Sequence, residues 1–215
     1  MVAFQYAWDA FRANVGPILT GVAVLFVGSI LVGLLWFGLV ALLGSAVDAG
    51  NDALGIVASV LTVVGLLGYL ALAFIVQAGI VRAGLAIVDG RPLAWSTLLS
   101  TDRLGTIVGA SLLVGLVAAV GSLLFVVPGV IFAFLAQFFL FFVVDRDEGA
   151  WEAIMSSIRF TVDNVVDVLL LYLVGAIVTT IGVLLCGIGL VVAFPVVVIA
   201  QAWTFRFLHG QPVST

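Results

Sequence analysis

Three amides and two guanidiniums are the groups in this chain best placed to hold a ligand. Gln77, Gln137 and Gln201 stand inside long uncharged stretches, and Arg82 and Arg206 close two of those stretches. A primary amide surrounded by hydrocarbon must find a hydrogen-bond partner, because no water is there to supply one. Brought together, these five residues would make a candidate ligand site for the headgroup of a lipid or amphiphile, with the planar guanidinium fork taking a phosphate. The structural reading is plainer and is the one expected. Amides between helices act as hydrogen-bond glue, at ~0.6–2 kcal/mol each. An arginine at the end of a spanning helix reaches back to the interface.

Other chemistry is sparse. Asp145, Asp147, Glu148 and Glu152 surround Arg146. They could hold a cation, but they suit better a solvated loop running into a helix N-terminus, where acids complement the dipole. His209 stands alone, so no metal site is expected. There is no Ser/His/Asp set, no paired cysteine motif, no HExxH and no phosphate-cradling glycine loop. No apolar stretch carries an acid at its middle, as proton-coupled pumps do. The expectation is a chain with no catalytic residues, no cofactor and no enzymatic activity.

The elements that position these residues are helices in lipid. Of 215 residues, 65% are hydrophobic and 8% charged, against about 25% charged in a soluble domain. Asp, Glu, Lys and Arg are missing from 13–47, 53–81, 104–144 and 168–205. A spanning helix needs about 20 residues. The first two windows suit one long helix each, and the last two suit two helices each. Val126-Val127-Pro128-Gly129 and Cys186-Gly187-Ile188-Gly189 are the expected dividers, through proline and paired glycines. Six spans result, about 15–44, 55–82, 105–126, 129–145, 165–186 and 190–207. The windows are continuously apolar rather than alternating, which favours helices over a barrel. The stretch before Gly44-Ser45-Ala46 is too long for a signal peptide and is expected to be retained.

All seven cations are arginines, and in this arrangement all lie on one side. The positive-inside rule then places both termini in the cytoplasm of a multi-pass plasma-membrane protein. Cys186, the one cysteine, falls in an outer turn, so no intramolecular disulfide is available. The net charge of −4 argues against nucleic acid as a partner. Membrane lipids, and another membrane protein, are the expected partners.

A tryptophan theme recurs three times: Ala7-Trp8-Asp9-Ala10, Ala94-Trp95-Ser96-Thr97 and Ala150-Trp151-Glu152-Ala153. In the first copy Phe4, Ala7, Trp8, Phe11 and Val15 share one helical face, as do Trp151, Ile154, Met155, Ile158 and Val162 in the third. Gln77 to Arg82 aligns with Gln201 to Arg206, and Gly90-Arg91-Pro92 with Gly210-Gln211-Pro212. The fold expected is an all-α, polytopic membrane bundle forming a single domain. It has six transmembrane helices as three hairpin repeats (about 1–90, 91–148 and 149–210), each entered through a cytoplasmic interfacial amphipathic helix. Small-residue ridges at Gly105/Gly109, Ser111/Gly115/Ala119 and Gly175/Thr179 suggest central third and fifth spans, with the Phe-rich fourth facing lipid.

The residues Ala150-Trp151-Glu152-Ala153-Ile154, Ser157-Ile158-Arg159-Phe160 and Asn164, then Cys186 to Gly189, Pro195, Ala200 and Phe205-Arg206, carry a resemblance. From Ala150 onward the chain resembles a broad prokaryotic family of integral membrane proteins, similar to the membrane domain joined to some glycerophosphoryl diester phosphodiesterases. The resemblance implies six helices and no established activity. These residues include none of the phosphodiesterase catalytic domain, so its reaction is not expected here. The functional expectation is a membrane scaffold or accessory module. The alternative is a small transporter or flippase for a lipid or amphiphile.

Overall fold

The computed structural model describes residues 2–48, 52–93, 100, 102–124, 126–185 and 189–213. Trp95 with the rest of the middle tryptophan copy, and Cys186 with its turn, lie outside the described residues. Nine helices are described: α1 Val2–Ala13, α2 Val15–Asp48, α3 Asp52–Val88, α4 Leu104–Leu124, α5 Val126–Leu135, α6 Phe139–Asp145, α7 Ala150–Asp163, α8 Val165–Leu184 and α9 Leu190–Leu208.

Among the described residues six stretches are long and apolar enough to cross a membrane: Val15–Ser45, Gly55–Val88, Leu104–Leu123, Val126–Asp145, Val165–Leu184 and Leu190–Leu208. They coincide closely with the spans expected from charge placement. The third window divides beside Val126-Val127-Pro128-Gly129 as expected, α4 ending at Leu124 and α5 beginning at Val126 with Pro128 near its start. That proline is the third residue of α5, in the first turn, where its missing N–H costs little.

Contacts divide the chain into two units, Leu19–Ala73 and Met1–Ile18 with Phe74–Thr215. The first holds most of α2 and α3. Its large side chains are exposed almost throughout, from Val24 to Leu70, as suits a lipid solvent. Within it, the Trp36 indole occupies the space beside Gly65 that a Cβ would fill.

The larger unit has its core towards the arginine-bearing ends. Ala78, Val81 and Leu85 to Val88 of α3 are buried, as are Phe138 to Val143 around α6 and Val198 to Ala200 with Phe205 of α9. Six rings interlock there. Phe138, Phe141, Phe142, Phe160, Phe205 and His209 form a network with the Phe141 and Phe205 centroids 5.3 Å apart. This corrects the expectation for the fourth span. Its phenylalanines after the break pack inward, and the fourth and sixth spans, rather than the third and fifth, are the more buried. Phenylalanine is equally at home in lipid and in a core, so composition alone could not choose.

The fourth span is broken at Ala136-Gln137-Phe138. Helix α7 seals the gap. The Ser157 hydroxyl donates to the Leu135 carbonyl (3.0 Å) and accepts the Phe138 N–H (3.1 Å), and the Thr161 hydroxyl also donates to Leu135 (3.2 Å). A broken helix is tolerated at membrane depth when its freed backbone groups are satisfied in this way. The buried face of α7 is therefore Ala153, Ile154, Ser157, Phe160 and Thr161. Trp151 and Val162 of the expected apolar stripe remain exposed.

Two hinges and two stops recur. Asn14 and Asn164 each end an amphipathic helix and donate a side-chain N–H to the carbonyl four residues back, Ala10 at 3.0 Å and Phe160 at 2.9 Å. Gly90 and Gly210 take positive φ, 68° and 66°. The following N–H groups of Arg91 and Gln211 return to Ala86 and Arg206, five residues back. Both ends are Schellman stops, for which glycine carries no Cβ penalty. Close glycine pairs, Gly121 against Gly129 and Gly182 against Gly189, join the paired helices α4/α5 and α8/α9.

Candidate functional site

Arg206 lies near the end of α9, and its residue is 8% exposed. Its guanidinium has five N–H groups, and each finds an acceptor. Nε and Nη2 donate to the two Asp89 oxygens at 3.0 and 2.9 Å. Nη1 and Nη2 donate to the two Asp145 oxygens at 2.8 and 2.7 Å. Nη1 also donates to Gln211 Oε1 at 2.7 Å. Both aspartates are thus held bidentately, the geometry for which arginine rather than lysine is suited.

Local structure delivers each partner. Asp89 is the residue before the Gly90 stop of α3, and Asp145 is the last residue of α6. Gln211 follows the Gly210 stop, which turns the chain back over Arg206. The ends of the second, fourth and sixth spans therefore meet at one guanidinium. Arg91 adds a second cation against Asp89 at 2.7 Å, so two arginines face two aspartates.

His209 borders this knot. Its ring stacks on Phe160, 4.9 Å between centroids with the planes nearly parallel, and its Nδ1 meets the Phe205 carbonyl at 2.7 Å. Burial lowers its pKa from the usual 6.5, aided by the positive Arg146 and Arg206. The Phe205 carbonyl and Asp145 pull the other way without reversing it. The imidazole is held neutral near neutral pH.

The remaining candidate residues are spread out. Arg82 donates to the Ser100 carbonyl at 2.8 Å and the Asp102 carbonyl at 3.1 Å, tying down the connection after α3. Against the glycine stops, Arg82 stands eight residues before Gly90 but Arg206 four before Gly210. The two are one helical turn out of register, which explains their different partners. Gln137 donates to the Phe134 carbonyl of its own segment at 3.0 Å. Gln77 is exposed and Gln201 half-buried. The structure brings the guanidinium of Arg206 to two aspartates and pairs Gln137 within its own segment.

The acidic residues also separate by task. Asp145 joins the knot, Asp147 pairs with Arg103 at 2.7 Å, and Glu152 accepts the Gly149 N–H at 3.2 Å to cap α7. Glu148 Oε2 is buried without a partner. Among the described residues no group of three or more His, Cys, Asp or Glu could hold a metal ion. Sequence reasoning passed over Asp89. Its signal was the position directly before a Gly-x-Pro exit, which fixes where its side chain emerges.

The chain matches a family model, described as a domain of unknown function (DUF7847), over residues 1–215, and it belongs to that family. It is 35% identical over 154 residues to the uncharacterized protein Rv2560 of Mycobacterium tuberculosis, covering 70% of this chain and 47% of that protein. It is 34% identical, with the same coverage, to the uncharacterized protein Mb2590 of Mycobacterium bovis. The chain thus spans about half the length of the curated relatives it matches. No solved structure matches. Nothing in these matches links the chain to glycerophosphoryl diester phosphodiesterases, so that part of the resemblance drawn from Ala150 onward is not supported.

Proposed function

We propose that this member of the DUF7847 family is a non-enzymatic module of the plasma membrane, a scaffold or accessory subunit whose partners are lipids and another membrane protein. One observation carries the reading. The most buried charged group among the described residues, Arg206, spends all five donors on holding helix ends together. Arg82 likewise serves the backbone of a connecting segment. The arrangement of three hairpin repeats, with cytoplasmic termini and interfacial entry helices, belongs to the same proposal. The matching asparagine hinges and glycine stops support it for the first and third copies.

The alternative, a flippase or small transporter, would use Gln77, Gln137, Gln201, Arg82 and Arg206. The bond of Gln137 within its own segment and the saturated Arg206 weigh against it. Replacing the three glutamines with leucine tests both. A scaffold keeps its assembly and its co-isolated partners in native membrane patches. A transporter loses lipid movement between leaflets, measured with a fluorescent phospholipid in reconstituted vesicles, and that result would overturn the proposal.

A further inference from the structure

We infer that the outer flank of α7 is a phospholipid seat: hydrocarbon lies along Trp151, Met155, Ile158 and Val162, and the headgroup phosphate sits on Arg159. The inference rests on the membrane reading and names the lipid contact within it. Spacings of three and four residues divide α7 into three sides. The buried side, from Ala153 to Thr161, faces the protein. Glu152, Ser156, Arg159 and Asp163 make a polar side. Trp151, Met155, Ile158 and Val162 make an apolar side that stays open among the described residues. Trp151 is 63% and Val162 55% exposed, and Met155 and Ile158 are half-buried.

Position and charge say what covers the open side. The buried side of α7 bonds to Leu135 and Phe138, which lie in the middle of the apolar stretch Val126–Asp145 rather than at its end. Helix α7 is therefore strapped along a spanning segment, and its opposite side meets the solvent of that segment, which is lipid. The open apolar side also continues across Asn164 into Val165, Val166, Leu169 and Leu170 of α8, all exposed. Four arginines, Arg12, Arg91, Arg103 and Arg206, each meet a carboxylate, and Arg82 meets two carbonyls. Arg159 is exposed and enters no ion pair or side-chain hydrogen bond among the described residues. It borders the apolar side, one turn after Met155 and one turn before Val162. A free guanidinium at the edge of an exposed apolar flank matches an amphiphile with a phosphate above its chains, and its planar fork suits two phosphate oxygens. Of the acids on the polar side, Glu152 is spent on the Gly149 N–H. Asp163, one turn beyond Arg159, makes no ion pair among the described residues. That carboxylate suits a headgroup carrying an ammonium beside its phosphate, as in phosphatidylethanolamine, better than an anionic one.

Nitroxide labels test the flank, placed on the whole chain with Cys186→Ser in vesicles of phosphatidylethanolamine and phosphatidylglycerol. A label at Val162→Cys should collide more with oxygen, which concentrates in hydrocarbon, than with a water-soluble nickel chelate. A label at the neighbouring Asp163→Cys should do the reverse. Preference for nickel at 162 overturns the inference. So does shielding from both reagents, which would mean that protein covers the flank. Recovery of the chain in the soluble fraction would sink the membrane reading itself, whereas a membrane-bound chain with water at 162 sinks only this inference. Native mass spectrometry of the purified protein, titrated with phosphatidylethanolamine, tests the phosphate contact. Arg159→Gln should weaken the first binding step about fivefold, the upper end for an exposed ion pair, and Arg159→Lys should weaken it less. Arg146→Gln, which removes another exposed arginine without a carboxylate among the described residues, should leave binding unchanged. Undiminished binding in Arg159→Gln, an equal loss in Arg146→Gln, or tighter binding of phosphatidylglycerol by the parent chain overturns the seat.

Discussion

The cost of removing Arg206 depends on what remains behind. Arg206→Ala leaves Asp145 without its cation and Asp89 with Arg91 alone, both carboxylates partly shielded from water. Breaking a buried pair from one side costs about 3–5 kcal/mol; partial exposure of the carboxylates puts the expected loss near the lower figure. Arg206→Lys keeps the charge but not the fork, so it should recover part of the melting temperature and not all of it. Equal melting temperatures for the lysine and wild-type proteins in detergent would contradict the bidentate account. Ser157 gives a second test. Ser157→Ala removes the acceptor of the Phe138 N–H inside the broken span, and an orphaned buried donor costs about 1–3 kcal/mol. Thermal unfolding should register that loss, with less for Thr161→Val because Leu135 keeps its bond from Ser157. His209 sets a pH dependence. Its folded pKa lies below the unfolded 6.5, so the unfolded chain binds the proton more readily. Its contribution to stability is complete above pH 6.5 and is lost as pH falls through the folded pKa. His209→Phe should flatten that acid limb, and an unchanged limb would remove His209 as its cause.

Among the elements, length separates the pairs. Helices α2 and α3 have 34 and 37 residues, about 51 and 55 Å, against about 30 Å of bilayer hydrocarbon. Helices α8 and α9, at 20 and 19 residues, match that thickness. Part of the excess in α3 is explained by burial: residues from Phe74 onward belong to the packed unit, leaving a lipid-length segment before it. Within the Leu19–Ala73 unit, the Trp36–Gly65 contact is a specific point of packing. Gly65→Leu should drive the indole out, read as a shift in Trp36 fluorescence in a chain whose other tryptophans are replaced by phenylalanine. An unshifted spectrum would remove the contact. The sequence revealed these elements because charges are so few that each one marks an end. It did not reveal the break at 136–138, since Ala136-Gln137-Phe138 contains no proline or glycine and the break is sustained by Ser157 and Thr161, some twenty residues on. Nor did it give the helix register. Trp8 stands six residues before Asn14 and Trp151 thirteen before Asn164, a difference of two turns that keeps the same face while changing the depth.

For the whole molecule, the six apolar stretches were legible from composition and spacing, because lipid penalises charge wherever it is buried unpaired. The Arg206 knot was legible only in part. Arg206 stood out as a cation at the end of a span, but its partners lie 117 and 61 residues away, and nothing local pairs them. The proposed whole is a multi-pass bundle whose packed, arginine-bearing ends share one side of the membrane. Cysteine labelling in intact cells tests this most directly, using Asn51→Cys and Val213→Cys separately in a Cys186→Ser chain. An impermeant maleimide should label the cysteine at 51 from outside and the one at 213 only after permeabilisation; labelling of both from the same side would contradict the account.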